Sequence, residues 1–446
     1  MPTAVMSLTD SDLRACVELA LQEARLLGAS EAEVGVSVDT GLSVTARLRE
    51  VETLEYHRDR GMGITVYRGK CKGSASTADL SAAAIRETVA KAYSIAGFTA
   101  ADPCAGLPEA SELATQIPDL DLNHPWDIEP DAARDLAISC EAAALSVDAR
   151  INNSEGATLS SHQGLRVFGN SLGFVAGYAS TSHSLSCSVI GQQDGDMQRD
   201  YWYSAVRDYH DLESAVSIGE RAAKRTLDRL GAQRLSTRVV PVVFVPELAR
   251  GLIGHFLGAI RGGSQYRRSS FLLDASGQQV FPAWFSCVER PHIMKALGSA
   301  PFDAEGVATR DRTLVDKGIL TGYVLSTYSA RKLGLKTTGN AGGVHNLIVE
   351  SGQDDFAALL KKMHSGLVVT ELMGSGVNGV TGDYSRGAAG FWVENGELAY
   401  PVHEITIAGN LKDMYQRIVA VGSDVDARGG VRTGSILLES MTIAGM

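Results

Sequence analysis

Apolar residues recur at Leu13, Cys16, Val17, Ala20, Leu21 and Ala24. That is the spacing of one buried helix face, with Thr9 placed as N-cap and Gly28 as stop. From Glu33 to Ser76 the period shortens to two. The alternating runs Val34–Val38, Leu42–Leu48, Thr53–His57 and Met62–Tyr67 predict a meander of short antiparallel strands, with Asp39-Thr40-Gly41 and Asp59-Arg60-Gly61 as turns. Asp79–Ala96 returns to helical spacing, with Ile85, Val89, Ala92 and Ala96 on one face. After a Pro-containing linker, roughly residues 99–130, the layout recurs: helix over Asp131–Val147, strands over Ala149–Val189, helix over Asp211–Leu230. The two units share a layout, not a repeated sequence.

A new domain is expected near Ser236. It opens with a strand at Val239–Val245 and a helix at Glu247–Ile260, after which β signals dominate. Asp316-Lys317-Gly318 and Glu394-Asn395-Gly396 read as hairpin turns, Phe356–Met363 as a helix, and Pro401 as an edge or strand-end residue. The expectation is an α+β chain in three parts: an N-terminal unit (1–115), a central unit (116–235), and a mainly antiparallel, barrel-like, β-rich domain (236–446).

Composition narrows the function classes. The net charge of −11, from 41 Lys+Arg against 52 Asp+Glu, argues against a nucleic-acid face, which needs clustered positive charge. No apolar run approaches the ~20 residues of a membrane span, and Met1–Asp12 lacks the basic-then-apolar layout of a signal peptide. Six scattered cysteines (16, 71, 104, 140, 187 and 287) form no CxxC pair, which predicts reduced, mainly buried thiols in a cytoplasmic protein.

Several short motifs lack the context their chemistry requires. Gly374-Ser375-Gly376-Val377-Asn378-Gly379 spells a dinucleotide fingerprint, but Val380-Thr381-Gly382-Asp383 is a poor helix start; close backbone packing explains the glycines better. Gly169-Asn170-Ser171-Leu172-Gly173 spells a nucleophile elbow, yet a strand follows it, which places Ser171 in a hairpin turn. His403 and Glu404 lie on an alternating segment, so their side chains diverge. His292, His345 and His364 are isolated in sequence.

Longer blocks carry a specific resemblance. They are Gly254-His255-Phe256-Leu257-Gly258-Ala259-Ile260, Pro301-Phe302-Asp303, Thr327 through Gly334, Ala341-Gly342-Gly343, Thr381 through Gly390, and Glu404 through Leu411. In this order they resemble the PmbA/TldE branch of the TldD/PmbA metallopeptidase family. The resemblance implies that a catalytic, TldD-type subunit carries a His-Glu-x-x-x-His zinc motif on the helix after the strand at 239–245, and a further cysteine near the C-terminus. Here those positions read Arg250, Gly251 and His255, with Thr433 at the cysteine position. Arginine is permanently cationic, glycine has no side chain, and a hydroxyl is a poor substitute for a thiolate. No catalytic residue and no metal are therefore expected in this chain, with His255 the sole remaining ligand-position residue. Zinc is expected in a TldD-type partner, in a heterodimer that trims unfolded or leader peptides. A homodimer is the alternative assembly.

Binding residues are expected in the run Thr381-Gly382-Asp383-Tyr384-Ser385-Arg386-Gly387. Asp383, Tyr384 and Arg386 would contact peptide or partner, and Arg261, Arg267 and Arg268 would orient peptide carboxylates. The competing account is a tight turn closed by an Asp383–Arg386 ion pair. Two rival functions stand beside this one. One is a self-sufficient metallopeptidase that joins His255 to His345, His364 or Asp303. The other is a non-proteolytic regulator of the gyrase-modulator type.

Overall fold

The computed structural model describes residues 8–445; the part of the signal-peptide reading that concerns residues 1–7 lies outside them. Helix α1 (Asp10–Leu26) is capped by Thr9, whose side chain accepts from the Asp12 amide while Asp12 reaches back to the Thr9 amide. Strands β1 (Glu31–Arg47), β2 (Glu50–Arg68) and β3 (Cys71–Thr77) follow, then α2 (Ala82–Ala96). The second unit repeats this order: α3 (Pro130–Leu145), β4 (Ile151–Asn170), β5 (Val175–Gln193), β6 (Asp196–Val206) and α4 (Ala215–Asp228).

These strands form one antiparallel sheet in the order β3-β2-β1-β4-β5-β6. β1 pairs with β4 from Glu33↔Asn170 to Ala46↔Ala157 and so joins the two units edge to edge. One face is covered by helices. Leu13, Val17, Ile85 and Val89 pack on the β1–β2 side, and Cys140, Ala144, Ile218 and Ala222 on the β4–β6 side.

The expected four-strand meander is corrected to two long strands. Asp39-Thr40-Gly41 lies inside β1, opposite Asp59, Arg58 and His57 of β2, and burial alternates through it without a break. Gly41 serves close approach rather than turning, because a Cβ there would sit 2.2 Å from His162 Nδ1. The true turn is Leu48-Arg49, two non-glycine residues at φ 50° and 66°. Side chains are strained in that left-handed region. What holds the turn is Glu141 of α3, fully buried, whose carboxylate accepts from the Leu48 amide at 2.8 Å and the Arg49 amide at 2.7 Å.

The third part begins with β7 (Arg238–Phe244), α5 (Pro246–Ile260) and the short α6 (Gly262–Tyr266). Then come β8 (Cys287–Glu289), β9 (Arg312–Asp316), β10 (Ile319–Leu320), α7 (Thr327–Lys332), β11 (Leu347–Val349) and α8 (Phe356–Met363). The chain closes with β12 (Gly366–Met373), β13 (Asp383–Glu394), β14 (Glu397–Asn410), α9 (Leu411–Gln416), β15 (Ile418–Val421), β16 (Val431–Arg432) and β17 (Ile436–Ala444). The main sheet runs β14-β13-β12-β7-β17-β15, and β14 also pairs with β17, which closes a five-strand barrel. The fold is α+β with a barrel-like C-terminal part. A second sheet, β10-β9-β8-β11-β16, lies beside it.

Both expected hairpins form, at Lys317-Gly318 and Asn395-Gly396, all four residues at positive φ. Pro401 lies within β14, on a stretch bordered by Gln233 of the preceding loop. Ser171 sits in the β4–β5 turn, where its hydroxyl accepts from the Ala32 amide. Phe168 and Phe174 of the central unit pack against Phe302 of the third part. The Tyr328–Asp102 hydrogen bond ties the third part to the N-terminal unit. No helix among the described residues is long and apolar enough to cross a membrane.

Replacing Glu141 by Ala removes both acceptors from a strained turn, so unfolding free energy in urea is expected to fall by about 2–4 kcal/mol. Arg49→Gly, which relieves the left-handed strain, is expected to raise it by about 1 kcal/mol. If Glu141→Ala leaves the midpoint unchanged, the carboxylate does not hold the turn.

Candidate functional site

Helix α5 is apolar on one side and nearly bare on the other. Pro246 occupies its first turn, where the missing amide costs nothing. The buried side carries Ala249, Leu252, Ile253, Phe256, Leu257, Ala259 and Ile260. Phe256 meets Phe281 edge-on with ring centroids 5.0 Å apart, and the buried Tyr415 hydroxyl donates to the Leu252 carbonyl at 2.9 Å. The opposite side carries Gly251, Gly254 and Gly258, all exposed. No atom lies within 4 Å of where their Cβ atoms would be.

Arg250 and His255 flank this bare stripe and have different surroundings. The Arg250 guanidinium lies 3.6 Å from Asp426 and donates to the Tyr203 hydroxyl at 2.9 Å. Asp426 is also held by Arg428, through bonds of 2.9 and 3.1 Å. Burial pushes the Asp426 carboxyl up, but Arg428 and Arg250 outweigh it and leave the group below its usual range. Arg428 in turn lies over the Trp202 ring at 4.1 Å, with Arg221 over the same ring at 3.6 Å. Thr433 is fully buried, and its hydroxyl donates to the Gly434 carbonyl at 3.0 Å.

His255 lines a groove of about 450 Å³ together with Gly254, Gly258, Ser264, Ser375 and Arg386. Its ring meets Tyr384 edge-on at 6.1 Å. Burial, and then the Arg386 charge, hold the imidazole below its ordinary pKa. Tyr384 is buried, which pushes its phenol up to about 12 against the pull of Arg386. The Arg386 Nε is buried with no hydrogen-bond partner.

The competing account, a tight turn closed by an Asp383–Arg386 ion pair, does not hold. The run from Asp383 is the start of β13 and not a tight turn, so Asp383 and Arg386, an odd number apart, point to opposite faces. Asp383 instead accepts from Thr381 and Asn410. Tyr384 and Arg386, two apart, share the face toward His255. Arg261 is the exposed residue between α5 and α6, and Arg267 is exposed beyond α6 with its guanidinium 5.2 Å from the Tyr266 ring. Arg268 faces Asp274 at 3.5 Å. None of these three lines the groove.

The three positions that the resemblance singles out hold a guanidinium, a glycine and a hydroxyl. Arg250 is a cation committed to Asp426, Gly251 offers nothing, and the Thr433 hydroxyl is turned to backbone. Among the described residues no three His, Cys, Asp or Glu side chains gather closely enough to hold a metal ion. His345 lies against the buried Glu289, His364 ends α8 at φ 60°, and Asp303 accepts from the Ala341 amide. None of the three lines the groove with His255. The glycine run 374–379 is a loop between β12 and β13, where a Cβ on Gly376 would sit 2.0 Å from the Ser385 carbonyl oxygen. Close backbone packing thus accounts for Gly376, whereas a Cβ on Gly374 or Gly379 would meet nothing within 4 Å.

Two polar clusters have no signal in the sequence. His183 Nε2 lies 2.9 Å from the His124 carbonyl and so must carry the proton, which leaves Nδ1 to accept from Ser161 at 3.0 Å. Both residues are buried, a satisfied core pair. Glu33 of β1 accepts from the Tyr67 hydroxyl. Burial, and then the Glu305 charge, push its carboxyl from 4.5 up to about 7.

Comparison with known proteins gives a consistent picture. Residues 32–96, 123–230 and 237–445 match, in turn, domain 1, the central domain and the C-terminal domain of the PmbA/TldA metallopeptidases. The chain is 54% identical to Metalloprotease PmbA of Escherichia coli O157:H7 over 414 residues, 93% of this chain and 92% of that one. It is 50% identical over 444 residues to a Metalloprotease PmbA homolog of Haemophilus influenzae, covering 99% and 98%. A Metalloprotease TldD homolog from the same organism is 23% identical over 404 residues, covering 84% and 82%. A solved Bacteroides thetaiotaomicron structure, described as a modulator of DNA gyrase, superposes with a TM-score of 0.93 at 27% identity, covering 98% and 100%.

The Glu33 carboxyl gives a pH test. Its folded pKa is raised, so its contribution to stability is complete below the ordinary value and is lost as pH rises through about 7. The fall in unfolding free energy between about pH 5 and pH 8 is expected to be about 2–3 kcal/mol smaller in Glu33→Gln than in the parent chain. Urea titrations at both pH values measure it; equal falls would show that Glu33 is not the titrating group.

Proposed function

Because the chain belongs to the PmbA/TldA metallopeptidase family, we propose that it is the non-catalytic half of a two-subunit peptidase. In this reading it binds unfolded peptide, and a TldD-type partner supplies the metal, the base and the water. The observation that carries the proposal is the state of Arg250 and Gly251 on α5 and of Thr433 just after β16. Arg250 is locked to Asp426, Gly251 has no side chain, and Thr433 is buried and bonded to backbone. A zinc hydrolase needs three or four ligands and a carboxylate base, and these residues supply neither.

The groove beside the same helix suits the binding role. Gly254 and Gly258 leave the helix backbone open to an extended main chain, and an arginine and serine hydroxyls line the same space. Binding through the main chain tolerates many sequences, as processing of unfolded peptides requires. That Haemophilus influenzae has both a PmbA homolog and a TldD homolog is consistent with two distinct subunits. The gyrase-modulator description of the Bacteroides protein offers a regulatory reading, but the net charge of −11 gives no support to direct DNA contact.

The test is to purify the chain alone and with a TldD-type subunit, and to measure bound zinc by mass spectrometry and cleavage of an unfolded peptide. Zinc and cleavage are expected only in the pair. Stoichiometric zinc with chelator-sensitive cleavage in the lone chain would overturn the proposal in favour of a self-sufficient peptidase.

A further inference from the structure

We propose that the groove between α5 and β13 recognises the terminal carboxylate of an extended peptide, with Arg386 as the group that binds it. The inference rests on the peptide-binding reading above and gives that reading a polarity.

The groove has a cation and no anion. Its lining includes Arg386, His255 and the serines at 264, 269 and 375, and no Asp or Glu. Arg386 forms no ion pair among the described residues; its guanidinium meets the Tyr384 hydroxyl, and its Nε is buried without an acceptor. A guanidinium presents parallel N–H groups in a fixed plane that matches a carboxylate, and a buried donor left without a partner is costly. An arginine that merely packed would be expected to find a carboxylate or carbonyl nearby. On the other side of α5, Arg250 and Arg428 share Asp426.

The remaining walls favour a chain end. The cavity of about 450 Å³ falls in the range of small-ligand sites. Burial, and then Arg386, hold the His255 imidazole below its ordinary pKa, and its ring can serve as a hydrogen-bonding partner. Gly254 and Gly258 admit the peptide main chain to within contact of the helix. The acidic net charge of −11 disfavours anions over the surface generally, so carboxylate binding here would be local to Arg386.

The test uses the full chain, alone and with the TldD-type subunit, in calorimetric titrations of three probes. These are N-acetyl-tetra-alanine as the free acid, the same peptide as its C-terminal amide, and an amide carrying an internal Asp. The free acid is expected to bind at least about tenfold tighter than either amide, as a charge-assisted bidentate pair would give. Arg386→Gln should erase the preference and Arg386→Lys should keep part of it, with melting temperature confirming that each variant is folded. The Arg386 Nε proton resonance should move on addition of the acid. Equal affinity for acid and amide, or a preference that survives in Arg386→Gln, overturns the carboxylate inference and leaves peptide binding standing. An internal-Asp amide that matches the free acid overturns the assignment to the terminus. No binding of any probe overturns the inference and removes the peptide-binding reading with it.

Discussion

The architecture of the site depends on α5 being held by one face only. Seven apolar side chains fasten it to the barrel and its aromatic neighbours. Burying each large one is worth about 1.5–3 kcal/mol, so the helix does not need its other face for anchorage. That freedom lets the exposed stripe be glycine, although glycine is an unfavourable helix residue. The groove exists because side chains are missing from a helix that the core holds in place regardless.

The same helix separates two electrostatic regimes. Toward β6, cations and anions neutralise one another: Arg250 and Arg428 with Asp426, and Arg225 with Asp200 and Glu247. Toward β13, Arg386 has no carboxylate paired to it among the described residues, and burial and Arg386 hold the His255 imidazole below its ordinary pKa. Compensated charge knits the central and third parts together, since Arg428 also donates to the Tyr203 carbonyl at 2.7 Å. Uncompensated charge is left facing the cavity.

Much of the fold is legible from local pattern. The α1 cap at Thr9, the helix at Phe356–Met363 and the hairpins at Gly318 and Gly396 follow from spacing and turn chemistry that act within a few residues. The failures share a cause. Asp39-Thr40-Gly41 has turn composition, yet its glycine is needed for His162, which lies far along the chain. Leu48-Arg49 has no turn composition, because the residue that makes the turn possible is Glu141. At the site, Arg386 stands out by its glycine-rich setting, but its supposed partner fails because strand alternation sends Asp383 to the other face. The Glu33 and His183 clusters are assembled wholly by long-range pairing and leave no mark on neighbouring sequence.

The Arg250–Asp426–Arg428 network has a consequence for how this chain can change. Placing histidine, glutamate and cysteine at 250, 251 and 433 would disturb contacts that lie outside the helix. Asp426 would lose one of its two cations while still buried, and Arg428 would remain in place above Trp202. The new cysteine would occupy a fully buried position, next to a glycine at 434 whose own Cβ, if it had one, would meet the Gly422 carbonyl oxygen at 1.9 Å. The side chain at 250 is the constrained one, through Asp426 and Tyr203, whereas position 251 opens on free space. What can stand at 250 is therefore set by residues off the helix, Asp426, Arg428 and Tyr203, more than by the helix itself.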